Sequence, residues 1–216
     1  MPLQAVLFDL DGTLIDSEPY WIESEYKLVA EFGGQWSDDH AHALIGSDLL
    51  EAGRYLRDIG GVELEPAEIV DRMLANVVAA SRQQMPWQPG ARELVAACRA
   101  AQLPCALVTM SWASLADLVV EQLPPGSFGA VVTGDQVRNG KPHAEPYRTA
   151  CELLGVEPAR AVAIEDSPTG LASAEAAGCR VVVVPNKVTI PPAPNRTIVG
   201  SLTELSVAAL AALVPG

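Results

Sequence analysis

From Gly90 onward, short apolar runs alternate with helical patterns, and no other feature constrains the fold of this chain as strongly. Ala106–Thr109, Ala130–Thr133, Val162–Ile164 and Val181–Val184 read as strands. Arg92–Ala101, Ala113–Gln122, Glu145–Leu154 and Thr169–Ala177 read as helices between them, the last stopped by Gly178. One more apolar run, Ala5–Phe8, stands near the start and is broken by Gly12. Strands joined through helices pair in parallel, because a parallel neighbour is reached only by a crossover. The expected fold is α/β, a doubly wound parallel sheet that binds ligands beyond the carboxyl ends of its strands.

Residues 17–86 interrupt this alternation. Ser17 is placed to cap a helix through Trp21, Tyr26 and Val29 to Phe32, with Trp21 expected in the core of this insert or, as the less favoured reading, on the wall of a substrate cleft. Further helical patterns cover Asp39–Ile59 and Pro66–Gln84, with no strand between them. Met85-Pro86-Trp87-Gln88-Pro89-Gly90 reads as a linker, and the Pro-rich segment 185–197 as an irregular loop before a short final helix. The expected domains are residues 1–16 with 87–216, and an all-helical insert of residues 17–86.

The first strand ends in Asp9-Leu10-Asp11-Gly12. Side chains at i and i+2 of an extended segment point to one side, which sets the two carboxylates about 7 Å apart along the strand. Such a pair can hold a divalent cation, share a proton, or divide into a nucleophile and an acid. Other polar residues also follow apolar runs: Thr109-Met110-Ser111, Gly140-Lys141-Pro142 and Glu165-Asp166. Each alone has an ordinary structural use, as a helix cap, a solvated charge or a helix opening. At the carboxyl ends of one sheet they are expected to meet.

With 27 acidic and 14 basic side chains the formal charge is −13, which repels nucleic-acid phosphates and anionic membranes. Neither is an expected partner. Among only three lysines, Lys27, Lys141 and Lys187, the one in the Gly-Lys-Pro turn is the best placed for chemistry. The four cysteines lack metal-like spacing and read as buried apolar residues in a reducing compartment. Met1-Pro2-Leu3-Gln4 leads straight into the first strand, and no apolar run is of membrane-spanning length. The expectation is a soluble cytoplasmic protein, a monomer or small homo-oligomer.

The run Asp9-Leu10-Asp11-Gly12-Thr13-Leu14-Ile15-Asp16, followed in order by Thr109, Lys141 and Glu165-Asp166 in their strand contexts, resembles the haloacid dehalogenase superfamily of phosphohydrolases. The insert resembles the helical cap of the phosphoglycolate phosphatase and phosphoglucomutase-like branch, and Asp16-Ser17-Glu18-Pro19 with Trp21 is close to sugar-phosphate phosphatases of that branch. The resemblance runs from Ala5 to Val184 and implies a Rossmann-like catalytic core with an inserted cap.

It further implies a role for each matching residue. Asp9 would be the nucleophile that forms an aspartyl-phosphate, and Asp11 the acid and then the base. Thr109, Met110, Ser111 and Lys141 would bind the phosphoryl oxygens. Asp9, the Asp11 backbone carbonyl and Asp166 would hold Mg²⁺, with Glu165 a supporting neighbour rather than a direct ligand. Gly46 and Ser47 would lie on the substrate-binding loop of the cap.

Expelling an alkoxide requires a proton donor, whereas displacing a halide does not, so Asp11 favours phosphoryl transfer over dehalogenation. Asp48 and Leu49 stand where the resembling mutases carry a basic residue for a second phosphate. The expected function is therefore Mg²⁺-dependent hydrolysis of a small phosphorylated metabolite, a sugar or polyol phosphate. A sugar-phosphate mutase and a non-catalytic regulatory binding protein are the alternatives. Ala144 and Glu145 replace the family's usual Pro and Asp after Lys141-Pro142, which is expected to loosen that turn.

Overall fold

The computed structural model describes residues 2–193 and 195–214. In chain order the elements are β1 (Ala5–Phe8), α1 (Glu18–Glu31), α2 (Asp38–Ala43), α3 (Leu49–Asp58), α4 (Pro66–Gln83), α5 (Ala91–Ala100), β2 (Cys105–Val108) and α6 (Ala113–Glu121). They continue with β3 (Ala130–Val132), α7 (Glu145–Leu154), β4 (Ala161–Glu165), α8 (Pro168–Ala177), β5 (Arg180–Val183), β6 (Arg196–Ile198) and α9 (Val207–Ala212). The chain divides into two compact units, Met1–Asp16 with Trp87–Gly216, and Ser17–Pro86.

The larger unit is built on a six-stranded sheet in the order β3-β2-β1-β4-β5-β6, with every pair parallel. Ala5, Leu7, Ala106, Val108 and Ala163 pack on one face with Tyr147, Ala150 and Cys151 of α7 and Leu171 and Ala174 of α8. Strand alternation turns Val6, Phe8, Leu107, Val162 and Ile164 to the opposite face, where they are also fully buried. A sheet covered on both faces needs continuous apolar strands, which is why these runs carry no polar alternation.

Strand order reverses at β1. From there the chain builds outward to β2 and β3 on one side and returns to β4, β5 and β6 on the other. The register pairs Phe8 with Leu107 and with Ile164. Asp9 therefore leaves the sheet between the ends of β2 and β4, at the switch point where such sheets bind ligands.

The helical unit has its own core of Leu28, Val29, Leu56, Val62, Ile69 and Met73, with Trp21 packed against it. The single helical pattern expected over Asp39–Ile59 is two helices. Gly46 turns the chain with a φ of 73°, and Asp48 starts a new helix by accepting from the Leu50 and Glu51 amides. Ser17 has helical dihedrals and makes no side-chain cap bond, so Pro19 in the first turn of α1 is the clearer start signal. The segment 185–197 was expected to be irregular, yet its end begins β6, an edge strand paired with β5. Arg-Thr-Ile, incompletely buried, has no apolar run to announce it.

Candidate active site

At the end of β1 the Asp9 carboxylate is 7% exposed and accepts a hydrogen bond from Lys141 Nζ on Oδ1 at 2.7 Å. The same ammonium donates to the Val108 carbonyl at 2.9 Å and to Glu165 Oε1 at 2.5 Å. Three segments far apart in the chain are thus tied by one cation. Burial alone would lower the Lys141 pKa, but the facing Asp9 and Glu165 carboxylates outweigh it and raise it above the ordinary lysine value.

Glu165 is completely buried, and both of its oxygens receive donors. Tyr147 donates to Oε1 at 2.6 Å, alongside Lys141, and Ser167 donates to Oε2 at 3.2 Å. The Lys141 ammonium also lies 5.2 Å from the centre of the Tyr147 ring. The first turn of α8 closes over this carboxylate, and a Cβ at Gly170 would overlap it. Tyr147 is a site residue that the sequence reading missed. In the sequence it is one apolar-face position of α7, and its hydroxyl meets a residue on another element.

Asp166 follows Glu165 out of β4 and meets the turn after Asp11. Gly12 has a φ of 91°, and a Cβ there would overlap Asp166 Oδ2, so glycine is required for both the turn and the approach. Gln88, also unforeseen, donates to the Gly12 carbonyl at 3.2 Å and fixes that turn from the segment after the helical unit.

Asp11 points elsewhere. Its Oδ2 accepts from Ser111 Oγ at 2.7 Å and from Thr109 Oγ1 at 3.2 Å, and the Ser111 amide donates to Thr109 Oγ1 at 2.9 Å. The hydroxyls expected on a phosphoryl group are here bonded to the carboxylate expected to be the acid. Met110 lies between them in sequence, and its sulfur accepts from the Lys141 amide at 3.1 Å. The Lys141 loop is not loosened by Glu145 as expected. Its carboxylate accepts from the Arg138 and Asn139 amides at 2.8 and 3.1 Å and from the Asn139 side chain at 2.8 Å, pinning the loop to the start of α7. Those donors hold the Glu145 carboxyl below its ordinary pKa. Gly46 and Ser47 lie in the helical unit between α2 and α3, where the Ser47 amide closes a turn onto the Leu44 carbonyl.

Asp9, Glu165 and Asp166 bring ligand oxygens within 4.8 Å of one another. Burial, reinforced by the neighbouring Glu165, pushes the Asp9 carboxyl up to about 7 against the pull of Lys141. Burial together with Asp9 and Glu165 pushes Asp166 up to about 9. One ammonium therefore leaves negative charge in surplus, and a divalent cation would relieve it. An all-oxygen, carboxylate donor set fits a hard ion such as Mg²⁺. No helix among the described residues is long and apolar enough to cross a membrane.

Known proteins share this arrangement of chain. The haloacid dehalogenase-like hydrolase family matches residues 6–184. Hexitol phosphatase B of Escherichia coli (strain K12) is 32% identical over 185 residues, covering 84% of this chain and 83% of that protein. Validoxylamine A 7'-phosphate phosphatase of Streptomyces hygroscopicus subsp. limoneus is 33% identical over 181 residues, covering 81% and 82%. Among solved structures, CbbY from Rhodobacter sphaeroides in complex with xylulose-(1,5)bisphosphate superposes with a TM-score of 0.87 at 28% identity, over 96% of this chain and 99% of that one.

Proposed function

The chain belongs to the haloacid dehalogenase-like hydrolases, and from that premise we propose that it is a Mg²⁺-dependent phosphatase of a small phosphorylated sugar or polyol. The observation that carries this reading is Asp9, a buried carboxylate paired with Lys141, with Asp11 two residues on and held by two hydroxyls. Asp9 attacks phosphorus, and the bond from phosphorus to the leaving oxygen breaks as Asp11 passes that oxygen a proton. Asp11 then takes a proton from water, which attacks phosphorus and breaks its bond to Asp9, releasing inorganic phosphate. Two transfers replace one difficult displacement.

Lys141 opposes the rise that burial and Glu165 impose on the Asp9 carboxyl, favouring its ionised form, and stands beside the oxygens that gather charge in the transfer. Asp9 and Asp166 would hold the cation, since Glu165 is occupied by Lys141, Tyr147 and Ser167. Bound there, Mg²⁺ would neutralise the incoming phosphate and orient it.

Hydrolysis is favoured over transfer to a second sugar by the helical unit. The start of α3 carries Asp48, whose carboxylate already occupies its first amides, so that helix end is poorly suited to a second phosphate. The activities for which hexitol phosphatase B and validoxylamine A 7'-phosphate phosphatase are named support a polyhydroxylated leaving group.

The test is phosphate release from a panel of sugar, polyol and non-carbohydrate phosphates, with and without Mg²⁺. Metal-dependent turnover concentrated on polyol and sugar monophosphates is the expected result. Isomerisation of a sugar phosphate without phosphate release would contradict it.

A further inference from the structure

We propose that Ser111 is a positioning residue for the proton donor Asp11 and not a ligand of the phosphoryl group. The inference rests on the phosphatase reading above. Ser111 Oγ and Thr109 Oγ1 donate to the same carboxylate oxygen, Asp11 Oδ2, at 2.7 and 3.2 Å. A hydroxyl has a single proton to donate, so one bonded to Asp11 cannot at the same time donate to a phosphate oxygen. Both side chains are buried, and the Ser111 amide donates to Thr109 Oγ1, so the two hydroxyls are held as one unit.

Their bonds to Asp11 are unequal, and this divides the work. Thr109 makes the longer bond, which an incoming phosphoryl oxygen can take over, with Thr109 turning from Asp11 to the substrate. Ser111 makes the shorter bond and keeps Asp11 oriented when Thr109 has turned. A misplaced acid slows the expulsion of a poor leaving group far more than that of a good one.

The experiment compares kcat/KM on an alkyl phosphate and an aryl phosphate, because that constant reports the steps through cleavage of the leaving group. Ser111→Ala should lower the alkyl value about tenfold, the scale of one hydrogen bond to a charged group, and the aryl value much less. Ser111→Thr, which keeps the hydroxyl, should restore most of the alkyl value. In an Asp11→Asn background Ser111→Ala should add no further alkyl loss, because the group it positions is gone. Equal loss on both substrates would overturn the proposal, leaving Ser111 a phosphate ligand or a packing residue. An unchanged alkyl value would overturn it as well. Failure of the phosphatase reading is visible separately, as wild-type protein that releases phosphate from neither substrate or an Asp9→Asn variant that keeps its activity.

Discussion

Each unit of the molecule buries a glutamate, and the two are treated differently. Glu165 in the α/β unit is completely buried and has Lys141, Tyr147 and Ser167 on its oxygens. Glu25 in the helical unit is 4% exposed and accepts from the Trp36 indole at 3.1 Å, and among the described residues no cation pairs with it. Burial raises the Glu25 carboxyl to about 7, with that indole pulling the other way. A buried acid surrounded by donors is an organised part of a charged site. A buried acid with one neutral donor leaves the stability of its unit dependent on pH. Chemistry is expected where acids cluster about a cation, as at Glu165, whereas at Glu25 the dependence on pH belongs to one carboxyl that a single substitution removes. The raised Asp9 and Asp166 carboxyls add a dependence of their own in the α/β unit.

The strongest way to break this comparison is at Asp9. Asp9→Asn removes the nucleophile while leaving the sheet intact, and phosphate release should fall by about 10⁴-fold or more. Phosphate-release assays that retain activity near wild type would remove the α/β cluster from the chemistry. Next in size, Asp166→Ala deletes an anionic ligand, and the Mg²⁺ concentration for half-maximal activity should rise by at least about tenfold. An unchanged Mg²⁺ titration would place the metal elsewhere.

Tyr147→Phe sharpens the comparison by making Glu165 more like Glu25. The ring stays beside Lys141, but one donor to Oε1 is lost, and the protein should be destabilised by about 1–3 kcal/mol in denaturant unfolding. Turnover should fall as well, because Lys141 shares that oxygen. Lost stability with full activity would show that Tyr147 only packs the core.

Glu25→Gln is expected to have the smallest effect. Because the folded-state pKa of Glu25 lies above its unfolded value, its contribution is fully present below about pH 4.5 and is lost as pH rises through about 7. The wild type should therefore lose on the order of 1–3 kcal/mol relative to Glu25→Gln between about pH 5 and 8. Parallel stability profiles for the two proteins would show that Glu25 carries no such penalty.

The sheet was legible because strands buried on both faces must be apolar throughout, and because helices between them force parallel pairing. The places of Asp9, Thr109 and Glu165-Asp166 were legible for a related reason, since a polar residue at the carboxyl end of such a strand lies at the ligand-binding edge. Lys141, in the loop between β3 and α7, was legible from the Gly-Lys-Pro turn and the resemblance. What those side chains touch was not. Spacing does not say that Thr109 and Ser111 turn to Asp11, nor that Glu145 ties down the Lys141 loop. Tyr147 was hidden because an aromatic on an apolar helix face looks like core until its hydroxyl finds a partner on a separate element, here Glu165 of β4. β6 and the break between α2 and α3 were hidden for a local reason, three residues without an apolar run in one case and a single glycine turn in the other.

The central claim is that Asp9 forms the covalent bond to phosphorus, and trapping that bond tests it directly. Enzyme quenched during turnover and reduced with borohydride should contain homoserine in place of Asp9, detected by mass spectrometry of the peptide that carries it, because an acyl-phosphate is reduced and a free carboxylate is not. The account predicts this conversion at Asp9 alone, dependent on substrate and absent in Asp9→Asn. Conversion at another carboxylate, or none at Asp9 in wild-type enzyme quenched while it is releasing phosphate, would contradict it.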